Sequence, residues 1–456
     1  MAEALDHAYR YPFASGFNPR RGLALAASGT DEAGHPYLEA RAKSPRTVAL
    51  LLRSVSDVVR SRHHIPSAML EKILAESDPV FTVSRDVLRV EGFSSCCGLY
   101  ARADLDASIW DGAELKAGST NVDFNEPMRA ALGRVRDGDE ARLVVAEAGV
   151  DLAVVEGAAE RTLQERRVRL PLRWIKSFLE VQIVQSRMER RTVLPALTAL
   201  RFLRSLPKTR RTSDAAHVLP TRGGLRLTAN GSSETIRLAG FGRLRVLEAL
   251  LPKAKQLHVW SDPVTGASVW QVEQPSARFT LALSPDTWRA FSGEGQALEL
   301  LALPAECVAE VRAQLKWQSE LTPETIARAA SLSPEVAARA LAQLGIWGSV
   351  GFDLAREAWF HRVLPVDLAS ARQRIEKQQP RLKAARKLVE GGCVQLTSNV
   401  DGALAGEVRS GDITHRAELH ADASRCTCPW FAKHGGDRGA CKHVLALQLE
   451  AERRDG

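Results

Sequence analysis

The sequence lacks several features that would assign it to a common class of protein. No apolar run approaches the roughly 20 residues that a membrane-spanning helix needs. Residues 1–20 contain acids and arginines but no apolar stretch of the kind found in secretory signals. Seven cysteines in 456 residues are too few for a disulfide scaffold. We therefore expect a cytoplasmic protein that has no membrane partner and works in a reducing compartment.

Sequence signatures of catalysis are also absent. The patterns HExxH, GxSxG and GxGxxG do not occur. His63–His64 and His361 have no nucleophile or carboxylate set at readable spacing, so they are interpreted as surface or core histidines. Residues 104–115 begin like a calcium loop, but Ile109 stands where that loop requires glycine. These absences predict a protein that is not an enzyme.

The composition is that of a globular protein with an uneven charge distribution. Hydrophobic residues make up 45% and charged residues 25%, which permits a sizeable core. Residues 161–211 contain 14 Lys/Arg and three acids, a net charge of +11 in a chain of net charge +8. Such a segment either attracts phosphates or forms helices with solvated basic faces. The nucleic-acid-binding candidates within it are Arg190, Arg191, Arg204, Lys208, Arg210 and Arg211.

A helix-turn-helix pattern follows in the C-terminal half. Thr322-Pro323-Glu324 and Ser333-Pro334-Glu335 each combine an N-cap hydroxyl, a proline in the first turn and an acid facing the helix dipole. Residues 347–352 are suited to a wing hairpin, so the segment resembles a winged-helix domain. The second helix offers only Arg339 and Gln343 for reading bases. We therefore favour protein binding over DNA binding for this segment.

These patterns divide the chain into six segments and predict a multidomain α+β protein. The segments are an N-terminal α+β region (1–158), a basic helical region (159–215), a second α+β region (216–305), a winged-helix-like segment (306–367), a linker helix (368–392) and a terminal module (393–456). A short helix followed by two strands near 126–155 recurs near 243–272. This order is similar to that of sliding-clamp domains, an analogy of pattern that implies no function.

The terminal module contains two pairs of metal-binding residues. Cys426 and Cys428 precede Cys441 and His443 by twelve residues, in the spacing C-x-C-x12-C-x-H. Structural zinc sites use four such ligands in a tetrahedron. The first pair is predicted to share one side of an extended strand, and the second pair to begin an apolar helix. A disulfide is the competing interpretation, and His434 is an alternative ligand.

The spacing, the Cys-Lys-His triplet at residues 441–443 and the apolar helix after it identify the terminal module, by resemblance, as a SWIM zinc finger. The resemblance implies bound Zn²⁺ and binding of DNA or protein. Less specific motifs at 91–102, 120–125 and 360–362 resemble those of bacterial stand-alone SWIM proteins. Such proteins are associated with MoxR-type AAA+ ATPases and with partners that contain von Willebrand A (VWA) domains.

Two functional hypotheses follow. The first is a non-catalytic, zinc-binding adaptor that docks protein partners, including an AAA+ ATPase/VWA system. The second is a DNA- or RNA-binding zinc finger protein that uses the basic segment 161–211, with phosphate contacts that make binding steeply salt-dependent.

Overall fold

The computed structural model describes most of the chain with internal gaps. The described residues are 16–18, 22–24, 36–62, 79–112, 115–122, 124, 126–147, 149–156, 159–166, 172–208, 215–293, 305–364, 380–400, 403–420, 424–435 and 437–455. His63–His64, Arg210, Arg211 and the first part of the predicted linker helix, 368–379, lie outside the described residues.

The described residues contain ten α-helices. They are α1 (Pro45–Arg60), α2 (Glu126–Arg134), α3 (Leu172–Ser186), α4 (Ala196–Ser205), α5 (Ala305–Ala313), α6 (Pro323–Ala330), α7 (Pro334–Ile346), α8 (Pro380–Glu390), α9 (Pro429–His434) and α10 (Lys442–Asp455). None of these helices has the length and apolar character required to span a membrane.

The strands outnumber the helices. They are β1 (Gly16–Asn18), β2 (Gly22–Ala24), β3 (Leu38–Ala42), β4 (Val80–Val83), β5 (Val87–Phe93), β6 (Leu99–Asp106), β7 (Trp110–Asp111), β8 (Gly118–Asn121), β9 (Glu140–Ala146), β10 (Gly149–Glu156), β11 (Ala159–Arg166), β12 (Glu189–Pro195), β13 (Ala215–Thr221), β14 (Gly224–Thr228), β15 (Ile236–Ala239), β16 (Gln256–Ser261), β17 (Ser268–Gln274), β18 (Ala277–Leu283), β19 (Val350–Asp353), β20 (Ala358–His361), β21 (Val394–Val400), β22 (Ala403–Ser410), β23 (Ile413–Leu419) and β24 (Ser424–Cys426).

One eight-stranded antiparallel sheet organises the N-terminal two thirds of the chain. Its strand order is β12-β16-β17-β18-β6-β5-β4-β8. Strands from the predicted segments 1–158, 159–215 and 216–305 therefore lie in one sheet. The other sheets are β11-β10-β9-β3-β7, β14-β13-β15, β19-β20, β21-β22-β23-β24 and β1-β2. The predicted α+β class is confirmed.

Helix α1 covers the apolar face of the eight-stranded sheet. Pro45 lies in its first turn, where a missing backbone N–H costs little. Val48, Val55 and Val59 are buried along one side of the helix, which packs on β5 and β6. A Cβ at Gly92 of β5 would lie 2.6 Å from Cγ2 of Val59. Glycine is therefore required at position 92 for helix and sheet to approach this closely.

The opposite face of the same sheet carries a band of polar side chains, most of which are buried. The antiparallel register aligns Glu273, Arg278, Asp104 and Arg89 in one row across four strands, with alternating charge. A second row, two residues along, aligns Gln271, Thr280, Arg102 and Glu91. Successive side chains of a strand alternate between faces, so both rows lie on the face opposite α1. We call these eight residues the polar ladder.

The β19–β20 hairpin covers the central part of the polar ladder. Every residue of β19 and β20 is buried. The backbone oxygen of Phe352 accepts a hydrogen bond from Nη1 of Arg102 at 2.7 Å, and the Phe352 N–H donates to Oε1 of Gln182 in α3 at 2.6 Å. The hairpin thus belongs to the main body of the protein, by which we mean the part that contains the eight-stranded sheet.

Two separate apolar cores form within the described residues. The first extends from Leu38 to Leu364 and includes buried residues of α5, α6 and α7 and of the β19–β20 hairpin. The second extends from Ala385 to Ala451 and lies within the C-terminal module, which we define as residues 380–455. Folding of the C-terminal module therefore depends on its own core.

Two predictions of secondary structure need correction. The segment 159–215, predicted to be mainly helical, contains strands β11 and β12. Strand β12 forms because its backbone pairs with β16, a tertiary contact that overrides local helix propensity. The C-terminal part of the predicted linker helix is α8, which packs against α10 and has Ala385 fully buried. This part of the helix belongs to the C-terminal module.

Candidate metal centre

The first pair of candidate ligands is held by a strand and a helix start. Cys426 ends β24 and is paired with Ala417 of β23. Cys428 is the N-cap of α9, and its Sγ accepts the N–H of Phe431 at 3.4 Å. The paired strand ends at Cys426, but the backbone of Cys428 is still extended (φ −77°, ψ 152°), as predicted for this pair. Pro429 in the first turn of α9 explains why the strand stops there.

The second pair lies at the start of α10, as predicted. The carbonyl oxygen of Cys441 accepts the N–H of Leu445 at 3.0 Å, and His443 lies in the first turn. Val444 and Leu447 are fully buried in the second core. The apolar side of α10 thus anchors both ligands against the four-stranded sheet.

All four donor atoms converge on one point. One ligand atom from each of Cys426, Cys428, Cys441 and His443 lies within 4.8 Å of the others. Nδ1 of His443 is 3.7 Å from Sγ of Cys426 and 4.0 Å from Sγ of Cys441. Zinc bonds of about 2.3 Å to sulfur and about 2.0 Å to nitrogen give a tetrahedron with edges of roughly 3.5–3.8 Å. The donor set and its spacing therefore fit a metal ion with four protein ligands.

The thiols of the cluster share protons unequally. A hydrogen bond from Cys426 lowers the pKa of the Cys441 thiol to about 4. The same interaction with Cys441 raises the pKa of Cys426, and burial raises that of Cys428. The deprotonated form is therefore favoured at Cys441 and disfavoured at Cys426 and Cys428. Metal binding at such a cluster releases protons.

Two other histidines lie near the cluster. His434 packs its ring against Trp430, with centroids 4.7 Å apart, and is not among the four clustered donors. His415, which the sequence did not single out, is buried and lies with its ring centroid 4.3 Å from that of His443. Its position on the inner face of β23 became apparent only from the strand register.

The four basic candidates that the structure describes lie on β12 and at the end of α4. Arg190 and Arg191 lie on the edge strand β12, where Arg190 is exposed and Arg191 pairs with Glu189 at 3.2 Å. Arg204 is exposed in the last turn of α4, and Lys208 is exposed just beyond it. The structure thus leaves several cations accessible on this part of the surface.

The helix-turn-helix pattern is confirmed at its two helix starts. Thr322 and Ser333 cap α6 and α7 through side-chain oxygens that accept the N–H groups of Thr325 and Val336. Gln343, one of the two candidate base-reading residues of α7, is buried with 2% exposure. Arg339 remains exposed on the same helix. The free face of α7 therefore offers fewer base-reading groups than the sequence indicated.

A buried charge cluster joins the polar ladder to the hairpin. Arg102 lies 3.3 Å from Asp353, and Arg89 lies 3.2 Å from Asp104, with all four side chains fully buried. Burial alone would raise the pKa of Asp353, but Arg102 and Arg278 outweigh it and lower that pKa to about 2. The Asp353 carboxylate therefore remains ionised inside the protein.

No curated protein matches the chain. Among solved structures, the chain is similar to Proliferating Cellular Nuclear Antigen from Entamoeba histolytica, with 11% identity and a TM-score of 0.38 over 55% of this chain and 99% of that chain. It is also similar to the PCNA2–PCNA3 complex from Sulfolobus tokodaii, with 10% identity and a TM-score of 0.37 over 55% of this chain and 99% of that one.

A family model matches the segment that contains the four clustered donors. Residues 414–450 match the SWIM zinc finger. The matched residues extend from β23, through both ligand pairs, into α10. The chain therefore contains a SWIM zinc finger.

Proposed function

We propose that this protein is a non-catalytic, zinc-binding adaptor that docks protein partners in the bacterial cytoplasm. The observation that carries the proposal is the convergence of three thiols and one imidazole on a single point. Four protein ligands complete a zinc tetrahedron and leave no open position for a substrate or an activated water. The metal therefore supports folding of the C-terminal module and does not supply chemistry.

The burial of possible DNA-contacting groups in the winged-helix-like segment (306–367) favours protein partners over nucleic acid. The wing of a DNA-binding winged helix must be accessible, whereas β19 and β20 are buried against the polar ladder. Gln343 is also buried. The resemblance to bacterial stand-alone SWIM proteins points to a MoxR-type AAA+ ATPase or a VWA-domain protein as the partner.

An affinity pull-down with two baits tests the adaptor role. The zinc-loaded wild-type protein should retain the ATPase or VWA protein, which mass spectrometry identifies. Cys441→Ser, which removes one ligand, should lose partners that dock on the C-terminal module. Recovery of neither class of partner by the wild-type protein would contradict the proposal.

Nucleic-acid binding is the second candidate, supported by the exposed side chains of Arg190, Arg204 and Lys208. Fluorescence anisotropy with labelled duplex and single-stranded DNA and with RNA, over a salt series, tests it. Binding through phosphates weakens steeply with salt and should fall when these three residues become alanine. An absence of binding at low salt would favour the adaptor role over nucleic-acid binding.

Turnover in a hydrolase or nuclease screen, lost on a single polar substitution, would overturn the non-catalytic assignment.

A further inference from the structure

The outer nitrogen of His443 has an unusual environment for a metal-binding imidazole. Its Nδ1 faces the sulfur atoms of Cys426 and Cys441. Its Nε2 is buried and has no hydrogen-bond partner among the described residues. Metal-binding histidines usually donate this second N–H to a carboxylate, carbonyl or water, which fixes the orientation of the ring. Another contact must therefore orient the imidazole of His443.

The ring of His415 supplies such a contact. Its centroid lies 4.3 Å from that of His443, and the two ring planes are inclined by 36°. His415 is 9% exposed and lies on the inner face of β23, two residues before Ala417, the partner of Cys426. Strand β23 thus positions both the ring of His415 and Ala417, which is the strand partner of the ligand Cys426.

We propose that His415 is a positioning residue for the metal site, which holds the imidazole of His443 through ring packing in place of a hydrogen bond to Nε2. The aromatic ring of His415 is the feature that matters, since it packs against the ring of the ligand at a centroid distance of 4.3 Å. Loss of that ring leaves His443 free to rotate about its side-chain bonds, and the metal loses a preorganised donor. This role requires the metal site but is independent of the adaptor role.

Four variants separate ring packing from other roles. His415→Ala removes the ring, His415→Leu fills much of its volume without a ring, and His415→Phe keeps a ring without nitrogen atoms. His420→Ala is the matched control, because His420 follows the same strand and its side chain is 50% exposed. Zinc affinity is measured by competition with a chromogenic chelator. Wild-type protein run in parallel establishes that the site binds zinc at all.

The expected order of zinc affinities distinguishes the possibilities. His415→Ala and His415→Leu should bind zinc about 10–100-fold more weakly than wild type, the usual cost of losing an outer contact to a metal ligand. His415→Phe and His420→Ala should stay within about threefold of wild type. Wild-type affinity in His415→Ala would overturn the proposal, as would equal losses in His415→Phe and His415→Ala.

Cobalt substitution provides a readout that general destabilisation does not change. The visible d–d bands of bound Co²⁺ report the geometry of the ligands. These bands should shift in His415→Ala at saturating cobalt and return to the wild-type pattern in His415→Phe. Unchanged bands in a folded, cobalt-saturated His415→Ala protein would show that His443 keeps its orientation without His415, and the proposal would fail.

Discussion

Nη1 of Arg362 lies 2.5 Å from Oε1 of Glu91, although 271 residues separate the two in the sequence. Both side chains are fully buried. The hydroxyl of Tyr100 donates to the second carboxylate oxygen of Glu91 at 2.6 Å, and the guanidinium of Arg362 lies over the ring of Phe178. This pair fixes the end of the β19–β20 hairpin to the eight-stranded sheet.

Removal of one partner of this pair should be strongly destabilising. Arg362→Met leaves Glu91 as a buried carboxylate without its cation, which costs about 3–5 kcal/mol. The double variant Glu91→Leu/Arg362→Met should be less destabilised than the single variant, because no unpaired charge remains. Urea denaturation, followed by circular dichroism, measures both free energies of unfolding. Arg356→Ala is the control, since the Arg356–Asp86 pair is partly exposed and worth less than about 1 kcal/mol.

Loss of one metal ligand should unfold only the C-terminal module. Cys441→Ser is expected to abolish binding of one equivalent of zinc, because metal binding and local folding are coupled. The first core contains no residue of this module, so residues 38–364 should stay folded. Hydrogen exchange with mass spectrometry locates the change, and Cys393→Ser, outside the cluster of donors, is the control. Full protection of residues 393–450 in the zinc-free variant would contradict this expectation.

His361 should make the main body of the protein less stable in mild acid. Its Nδ1 accepts the N–H of Trp317 at 2.7 Å, and burial lowers its pKa from 6.5 to about 4. The unfolded chain therefore binds a proton that the folded protein refuses, so stability is lost as pH falls from about 6.5 towards 4. Between about pH 7 and pH 5 the loss is at most about 2 kcal/mol.

The variant His361→Asn tests this dependence. Its amide oxygen can replace Nδ1 as the acceptor but does not titrate. Unfolding free energies of the wild-type and variant proteins at the two pH values give the contribution of His361 as a difference, in which other histidines cancel. Equal pH dependence in the two proteins would show that His361 does not carry it.

Gly406 should tolerate no larger residue. A Cβ at this position would lie 2.5 Å from the backbone oxygen of Gln395 and 2.4 Å from Cδ1 of Leu447. Gly406→Ala should therefore destabilise the C-terminal module by about 1–3 kcal/mol, the usual cost of overpacking. Gly138→Ala, where nothing lies within 4 Å of the added atom, is the control. Hydrogen exchange of residues 393–450 at saturating zinc measures the difference.

Local signals determined which parts of the structure could be predicted. The caps at Thr322 and Ser333 and the helix that begins at the second ligand pair follow from patterns a few residues long. The four clustered donors were found from spacing alone, because a tetrahedral site requires a fixed set of ligand types. Helix α9 was not predicted, since a helix of six residues leaves little periodic signal.

Contacts between distant residues account for what the sequence did not reveal. The arginine-rich sequence of β12 gave no indication of a strand at the sheet edge, because β12 forms through its pairing with the distant strand β16. Arg89 and Arg102 belong to residue types that are almost always exposed, and only the strand register shows that they are buried between carboxylates. Burial of His415 beside His443 required the same information.

The polar ladder also bears on how the protein folds during synthesis. Strand β6 pairs with β18, which leaves the ribosome about 170 residues later, or roughly 10–35 s at ordinary rates of elongation. During that interval the edge of β6 has no partner, and unpaired edges promote aggregation. Arg102 and Asp104 place charges on this edge strand, which disfavour pairing with another chain. The charges that are costly to bury in the finished protein are thus expected to disfavour aggregation of the nascent chain until β18 is synthesised.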